Sequence, residues 1–185
     1  EPDITNIVVC IKGDVFIDIG ANLGYYSLLL KDNFRKIIAI EPEPRNFPIL
    51  KKNVLKFSNI QCLKLAVSDL DGEVMLYLQD NGTTHSMLSQ WNHNNVGMKI
   101  QVDALSLNTL IDKLNINVVD LIKVDVEGAE FLVLKGAENV CHKIKRWIVE
   151  VHYLNRSEDL ENWFKERSYK VKNILIEREN KNFIY

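Results

Sequence analysis

The sequence predicts a mainly parallel, doubly wound α/β sheet, and three observations carry that expectation. Short runs rich in β-branched residues alternate with helix-compatible segments along the 185 residues. The turn after the first of those runs, DIGANLG at 18–24, holds two glycines four apart. The last residues form two strand-like segments around RENK (178–181), which allows one antiparallel strand in an otherwise parallel sheet.

The elements follow in order. Residues 15–19 (VFIDI) read as a strand and 25–30 (YYSLLL) as a helix. A second strand at 36–40 (KIIAI) leads through EPEP into a helix whose apolar stripe is Phe47, Leu50, Val54 and Phe57. Pro48 falls in its first turn, where a missing N–H costs little. Residues 59–67 (NIQCLKLAV) are expected to form one third strand, with 73–78 (EVMLYL) as its hairpin partner. Residues 79–99 are polar, irregular and longer than a usual connection. The pattern resumes with a strand at 100–103, a helix at 107–114, a strand at 118–124 (VVDLIKV) and a fifth strand at 147–151 (WIVEV). Ser157 reads as an N-cap, followed by acidic Glu158, Asp159 and Glu161, with Leu160, Trp163 and Phe164 as the buried face. Segments 170–177 and 182–185 form the closing hairpin.

Length and the absence of a composition shift predict a single domain over 1–185. Because the sequence begins at Glu1 without Met, it is compatible with a piece of something longer. The chain starts close to its first strand, so any N-terminal recognition segment is expected to be missing or minimal. With 46% hydrophobic and 26% charged residues the composition is that of a globular protein. A formal charge of -2 gives no electrostatic case for binding nucleic acid. No apolar run reaches the ~18 residues of a membrane span. Cys10, Cys62 and Cys141 are odd in number and far apart, which points to neither a disulfide framework nor a CxxC site and suggests a reducing, cytoplasmic setting.

In an open α/β sheet ligands bind beyond the carboxyl ends of the strands where strand order reverses, which is where Gly20 to Gly24 must lie. Two cofactors compete for such a turn. A nicotinamide fingerprint has glycine at three positions, GxGxxG, whereas this turn has Asn22 at the second and Tyr25 after Gly24. S-adenosylmethionine carries no phosphates, and its turn must hold a zwitterionic methionine end and a ribose. Asp18 offers a carboxylate for an ammonium group, and Asn22 offers donors and an acceptor. Glu41, at the end of the second strand, suits two ribose hydroxyls of either cofactor.

DIGANLGYYS, AIEPEPRNFPILKKN, LAVSDLDGEV, DLIKVDVEGAEFLVLKGA and IVEVH together resemble the FkbM family of S-adenosylmethionine-dependent methyltransferases, in order and from about Val15 to His152. The resemblance implies a class I, Rossmann-like methyltransferase fold with a seven-stranded sheet and an antiparallel last strand. It implies O-methylation of a hydroxyl on a sugar, glycan or complex metabolite. The cofactor site it implies comprises Asp18, Gly20, Ala21, Asn22, Gly24, Glu41 and Asp125, with Ala66 and Val67 presenting backbone and apolar surface to the adenine. An NAD-dependent oxidoreductase and a non-catalytic nucleoside-binding domain are the alternatives.

Methyl transfer to an alcohol requires alignment and removal of a proton, so a positioned base adds roughly 10² to 10⁴ in rate. Asp125 and Glu127 follow strand four, and His152 follows strand five. These three are the candidate catalytic residues. Helix capping is the other role open to Asp125 and Glu127, and a structural hydrogen bond the other role open to His152. Glu130 is expected to be structural or solvated, and alternation puts Glu150 and His152 on one side. His85, His93 and Trp91 suggest a lid over a sugar ring or a solvated loop, and His142 a surface residue. Tyr25, Tyr26 and Ser27 divide between core and cofactor. No HxxxH or CxxC set suggests a metal site.

Overall fold

The computed structural model describes residues 2–78, 85–86, 98–152, 157–170, 173–177 and 180–184. Its first half runs α1 (Pro2–Val8), β1 (Gly13–Ile19), α2 (Tyr25–Leu29), β2 (Phe34–Ile40), α3 (Asn46–Val54), β3 (Ile60–Leu63), β4 (Ala66–Ser68) and β5 (Gly72–Leu78). It continues through β6 (His85–Ser86), β7 (Lys99–Ser106), α4 (Leu107–Lys113), β8 (Leu121–Val124) and α5 (Glu130–Lys135). The last elements are β9 (Trp147–Val151), α6 (Ser157–Glu166), β10 (Asn173–Glu177) and β11 (Asn180–Ile184).

Seven strands form the main sheet in the order β10-β11-β9-β8-β1-β2-β3. The five strands from β3 to β9 pair in parallel, and β11 runs antiparallel to both of its neighbours. Strand order reverses between β1 and β8. The expected doubly wound sheet and its reversed last strand are both present.

Period-two alternation divides the core between the two faces. Ile17 and Ile19 of β1, with Ile122 and Val124 of β8, pack under α4, α5 and α6 through Leu110, Val133, Trp163 and Phe164. Phe16 and Leu121 point the other way, to α1, α2 and α3, through Ile4, Tyr26, Leu50 and Val54. The apolar face expected of α6 is present, with Leu160, Trp163 and Phe164 buried. Rings of Trp163 and Phe164 meet Trp147 edge-on at 6.0 and 5.7 Å. Each such side chain contributes about 1.5 to 3 kcal/mol by leaving water, so this contact fixes the helix.

The structure departs from the sequence reading at specific places. NIQCLKLAV is not one strand. β3 ends at Leu63, opposite Ile40, where its partner β2 turns away. The chain bends at Leu65, and β4 joins a second, four-stranded sheet of order β4-β7-β5-β6. EVMLYL, as β5, therefore pairs with β7 rather than with the segment before it. The strand expected at 118–124 is regular only as β8, with Val119 making a single bridge to Ile144. Helix α1, which the sequence reading did not anticipate, buries Ile4 and Val8 on the sheet. Within 79–99, the described residues are His85–Ser86, paired with β5, and Met98 with Lys99, which opens β7. Trp91 and His93 lie outside the described residues. All three cysteines are free, and His142 is exposed.

Candidate functional site

Strand register builds the site. Ile40, Ile19, Val124 and Val149 are successive cross-strand partners through β2, β1, β8 and β9. The next residue of each strand, Glu41, Gly20, Asp125 and Glu150, therefore falls in a row along the carboxyl edge. At that edge a cleft of about 600 Å³ is lined by Gly20, Asn22, Glu41, Ala66, Val67, Leu76, Asp125 and Glu127, among others. Its position at the reversal of strand order is the usual ligand position in an open sheet.

The glycine turn alternates left-handed residues: Gly20 at φ +79°, Asn22 at φ +50° and Gly24 at φ +92°. Asparagine is one of the few side chains that enters this region cheaply, which is why it can stand where GxGxxG has glycine. A Cβ on Gly20 would lie 1.8 Å from the carbonyl oxygen of Asp125, so only glycine lets the turn approach the end of β8. Backbone N–H groups of Asn22 and Glu43 donate to the two carboxylate oxygens of Glu41 at 2.8 and 3.0 Å. Burial nevertheless pushes Glu41 up to about 7. Glu41 thus shapes the turn as well as facing the cleft. Glu43, which sequence reasoning passed over, accepts the N–H groups of Arg45 and Asn46 and so caps α3.

Beneath the turn, Asp18 is buried. Ser27 donates to one of its oxygens at 2.7 Å, and the other, Oδ1, accepts no hydrogen bond among the described residues. Burial raises the Asp18 pKa, with Lys123 opposing. Lys123 is the direct cross-strand partner of Asp18 and donates to Asp125 Oδ2 at 2.9 Å. Its Nζ also sits 4.6 Å from the ring centroid of Tyr26. Burial pulls the lysine down, but Asp125 and Asp18 outweigh it and hold Lys123 at about 12. Against the same burial, Lys123 and His152 keep Asp125 below its ordinary value. Sequence reasoning missed Lys123, although a lone charge inside the apolar run LIKV was the available signal.

Around His152 four carboxylates converge. Nδ1 lies 2.8 Å from Glu130 Oε1, and Nε2 lies 3.3 Å from Glu127 Oε2 and 3.8 Å from both Asp125 Oδ1 and Glu150 Oε1. Glu127 (φ +51°) and Gly128 (φ +97°) form the left-handed turn that brings the first turn of α5 back to this point. Burial lowers the His152 pKa, but the Glu130 hydrogen bond and the charges of Glu130, Glu127 and Asp125 raise it to about 9. Burial pushes Glu127 to about 7, with His152 opposing. Asp125, Glu150 and His152 also bring one donor atom each within 4.8 Å of one another. That donor set suits a divalent cation in type, though a metal there must displace a histidine proton. Alternation placed Glu150 beside His152, but no metal-type spacing such as HxxxH or CxxC marked the three residues as a set.

Gly20, Asn22, Glu41, Ala66, Val67, Asp125 and Glu127 thus share the cleft wall. Asp18 and Ala21 are buried, Gly24 packs toward Leu50, and His152 is held within its cluster of carboxylates. Glu150 and His152 do face one side. Glu130 is buried and bonded to His152 rather than solvated. Tyr25 is 58% exposed, Tyr26 is core, and Ser27 holds Asp18.

A parallel sheet with one reversed strand, carrying a glycine turn, Glu41 and the Asp125 segment at its carboxyl edge, defines a Rossmann-like fold of the methyltransferase class. Residues 18–171 match the family model described as the methyltransferase FkbM domain, and the chain belongs to that family. It is similar to methyltransferase sdnD of Sordaria araneosa, 29% identical over 180 residues, covering 80% of this chain and 68% of that one. It is also similar to hexuronic acid methyltransferase AglP of Haloferax volcanii, 27% identical over 145 residues, covering 76% and 57%. The chain therefore spans between 57% and 68% of these relatives' length. The solved structure of methyltransferase FkbM from Methylobacillus flagellatus KT shares the fold, with a TM-score of 0.68 at 18% identity over 94% of this chain and 44% of that one.

Proposed function

We propose that this chain transfers a methyl group from S-adenosylmethionine to a hydroxyl oxygen of a sugar, glycan or other complex small molecule. The observation that carries the reading is the single carboxyl edge on which Gly20, Asn22 and Glu41 meet Asp125 and Glu127.

The residues fit the cofactor. Asp18 Oδ1, buried and without a hydrogen bond among the described residues, is an acceptor that a bound ammonium or its water completes. Glu41 has both oxygens fixed by backbone donors and retains lone pairs for ribose hydroxyls. Ala66 and Val67, with Leu76 from β5, give an apolar wall suited to adenine. When bound, S-adenosylmethionine supplies an activated methyl carbon, so the protein's work is alignment, exclusion of water and handling of one proton.

Asp125 and Glu127 line the acceptor side of the cleft with His152 packed against them, and His152 Nε2 takes the hydroxyl proton. With its pKa raised to about 9, His152 is mostly protonated near neutral pH, so turnover climbs with pH. The name of the Haloferax relative points to a hexuronic acid, which offers both hydroxyls and a carboxylate. Four carboxylates around His152 repel a carboxylate acceptor, which favours a hydroxyl here.

Calorimetry with S-adenosylhomocysteine and with NAD tests the cofactor. Labelled S-adenosylmethionine with a panel of hexoses, methyl glycosides and hexuronic acids tests the acceptor. Saturable S-adenosylhomocysteine binding and methyl transfer to a hydroxyl support the reading. Binding of NAD alone favours an oxidoreductase, and cofactor binding without turnover across the panel favours a non-catalytic nucleoside-binding domain.

A further inference from the structure

The imidazole of His152 is held from behind. Glu130 projects from the first turn of α5, its side chain buried, and its Oε1 lies 2.8 Å from His152 Nδ1. The same oxygen accepts the Gly128 N–H at 2.8 Å, so the carboxylate is fixed from the backbone before it meets the ring. The Glu127–Gly128 turn supplies that N–H only because both residues are left-handed. The 2.8 Å contact to Glu130 is shorter than the 3.3 Å and 3.8 Å that separate Nε2 from the other carboxylates, so a ring with one proton keeps it on Nδ1 and carries its lone pair on Nε2. That nitrogen is the one facing Asp125, Glu127 and Glu150.

We propose that Glu130 is the positioning residue for His152, fixing the Nδ1–H tautomer and stabilising the imidazolium that forms when Nε2 accepts the acceptor's proton. The inference rests on the reading of His152 as the base. In that step the acceptor O–H bond breaks and its proton goes to Nε2. An oxygen–carbon bond forms, and the carbon–sulfur bond breaks with its electron pair remaining on sulfur. Glu130 touches neither oxygen nor methyl; it acts through the ring, as a carboxylate that orients a catalytic histidine does. The charged groups facing the imidazole are Glu130 from α5, Glu127 from the turn, Asp125 after β8 and Glu150 from β9. Lys123 of β8 neutralises part of the Asp125 charge.

The test is nitrogen-detected NMR of His152 in the wild-type protein and in Glu130→Gln, with S-adenosylhomocysteine bound, beside the turnover of both and of His152→Ala on the acceptor identified in the panel. In the wild type above its midpoint, His152 is the Nδ1–H tautomer. In Glu130→Gln the midpoint falls by at least one pH unit, and kcat on the high-pH plateau, where His152 is neutral in both proteins, drops roughly 10- to 100-fold with KM nearly unchanged. A wild-type Nε2–H tautomer overturns the proposal without any variant. An unshifted midpoint in Glu130→Gln also overturns it, while a slow His152→Ala then leaves the base intact. A wild-type rate in His152→Ala removes the base and, with it, the positioning role.

Discussion

Lys123 stands directly across the β1–β8 ladder from Asp18 and donates to Asp125 at 2.9 Å, so one buried ammonium serves the carboxylates on both sides of the glycine turn. Removing it strands the buried Asp18 and the half-buried Asp125. Lys123→Met is expected to cost about 3 to 5 kcal/mol, the usual result of breaking a buried pair from one side. Denaturant unfolding at pH 7 measures it. Because its pKa is raised from 10.5 to about 12, the contribution is complete below pH 10.5 and lost only as pH rises through about 12. An unchanged midpoint would show that the ammonium does not stabilise the pair.

The His152 and Glu127 shifts act on stability in the same direction, each contribution fading as pH rises. His152 is raised above its ordinary 6.5, so its contribution is full below that pH and fades as pH rises through about 9. Glu127 is raised from 4.5 to about 7, so folding favours its protonated form and loses free energy as pH climbs through that window. Glu127→Gln is therefore expected to be more stable than the wild type at pH 8, on the order of 1 kcal/mol, while turning over more slowly. Thermal melts at pH 5 and pH 8 check it, the difference between the two proteins appearing only at the higher pH.

The pH dependence of turnover separates the two candidate bases. Measured as kcat/KM for S-adenosylmethionine, which reports the free enzyme, the rate rises with a limb near pH 9 if His152 must lose a proton. A limb near pH 7 that disappears in Glu127→Gln would give the role to Glu127 instead. The groups interact closely enough that the limbs belong to the cluster, so the variants assign them.

Gly20 faces the tightest contact in the turn, with a Cβ placed 1.8 Å from Asp125 O. Gly20→Ala must move the turn away from β8. It is expected to abolish S-adenosylhomocysteine binding in calorimetry, whereas Asn22→Gly, which keeps a left-handed residue at that position, retains most of the affinity.

The sheet was legible because Ile17, Ile38, Ile122 and Val149 sit in short apolar runs separated by helical stripes, a signal local in the sequence. The row of Glu41, Gly20 and Asp125 was legible as well, since each residue ends such a run. What could not be read depends on long-range register. Glu130 meets His152, and Lys123 meets Asp18, only through pairings that spacing along the chain does not encode. The break in NIQCLKLAV has the same origin: β3 ends because β2 leaves it, and β4 continues because β7 receives it. Glu41 looked like a ligand residue alone, because its bond to the Asn22 N–H forms only once the turn is closed.

The central claim is that the edge carrying Asp18, Asn22 and Glu41 holds S-adenosylmethionine, and titration calorimetry of S-adenosylhomocysteine into the wild type, Asp18→Ala and Glu41→Ala tests it most directly. The wild type is predicted to bind one equivalent. Each variant should bind roughly tenfold more weakly or worse, a loss of about 1.4 kcal/mol or more, as expected where a buried hydrogen-bonding partner is removed. Glu41→Ala should also melt earlier, because the Asn22 and Glu43 N–H groups lose their acceptor. No binding by the folded wild type, or equal affinity in all three proteins, would contradict the assignment of this edge as the cofactor site.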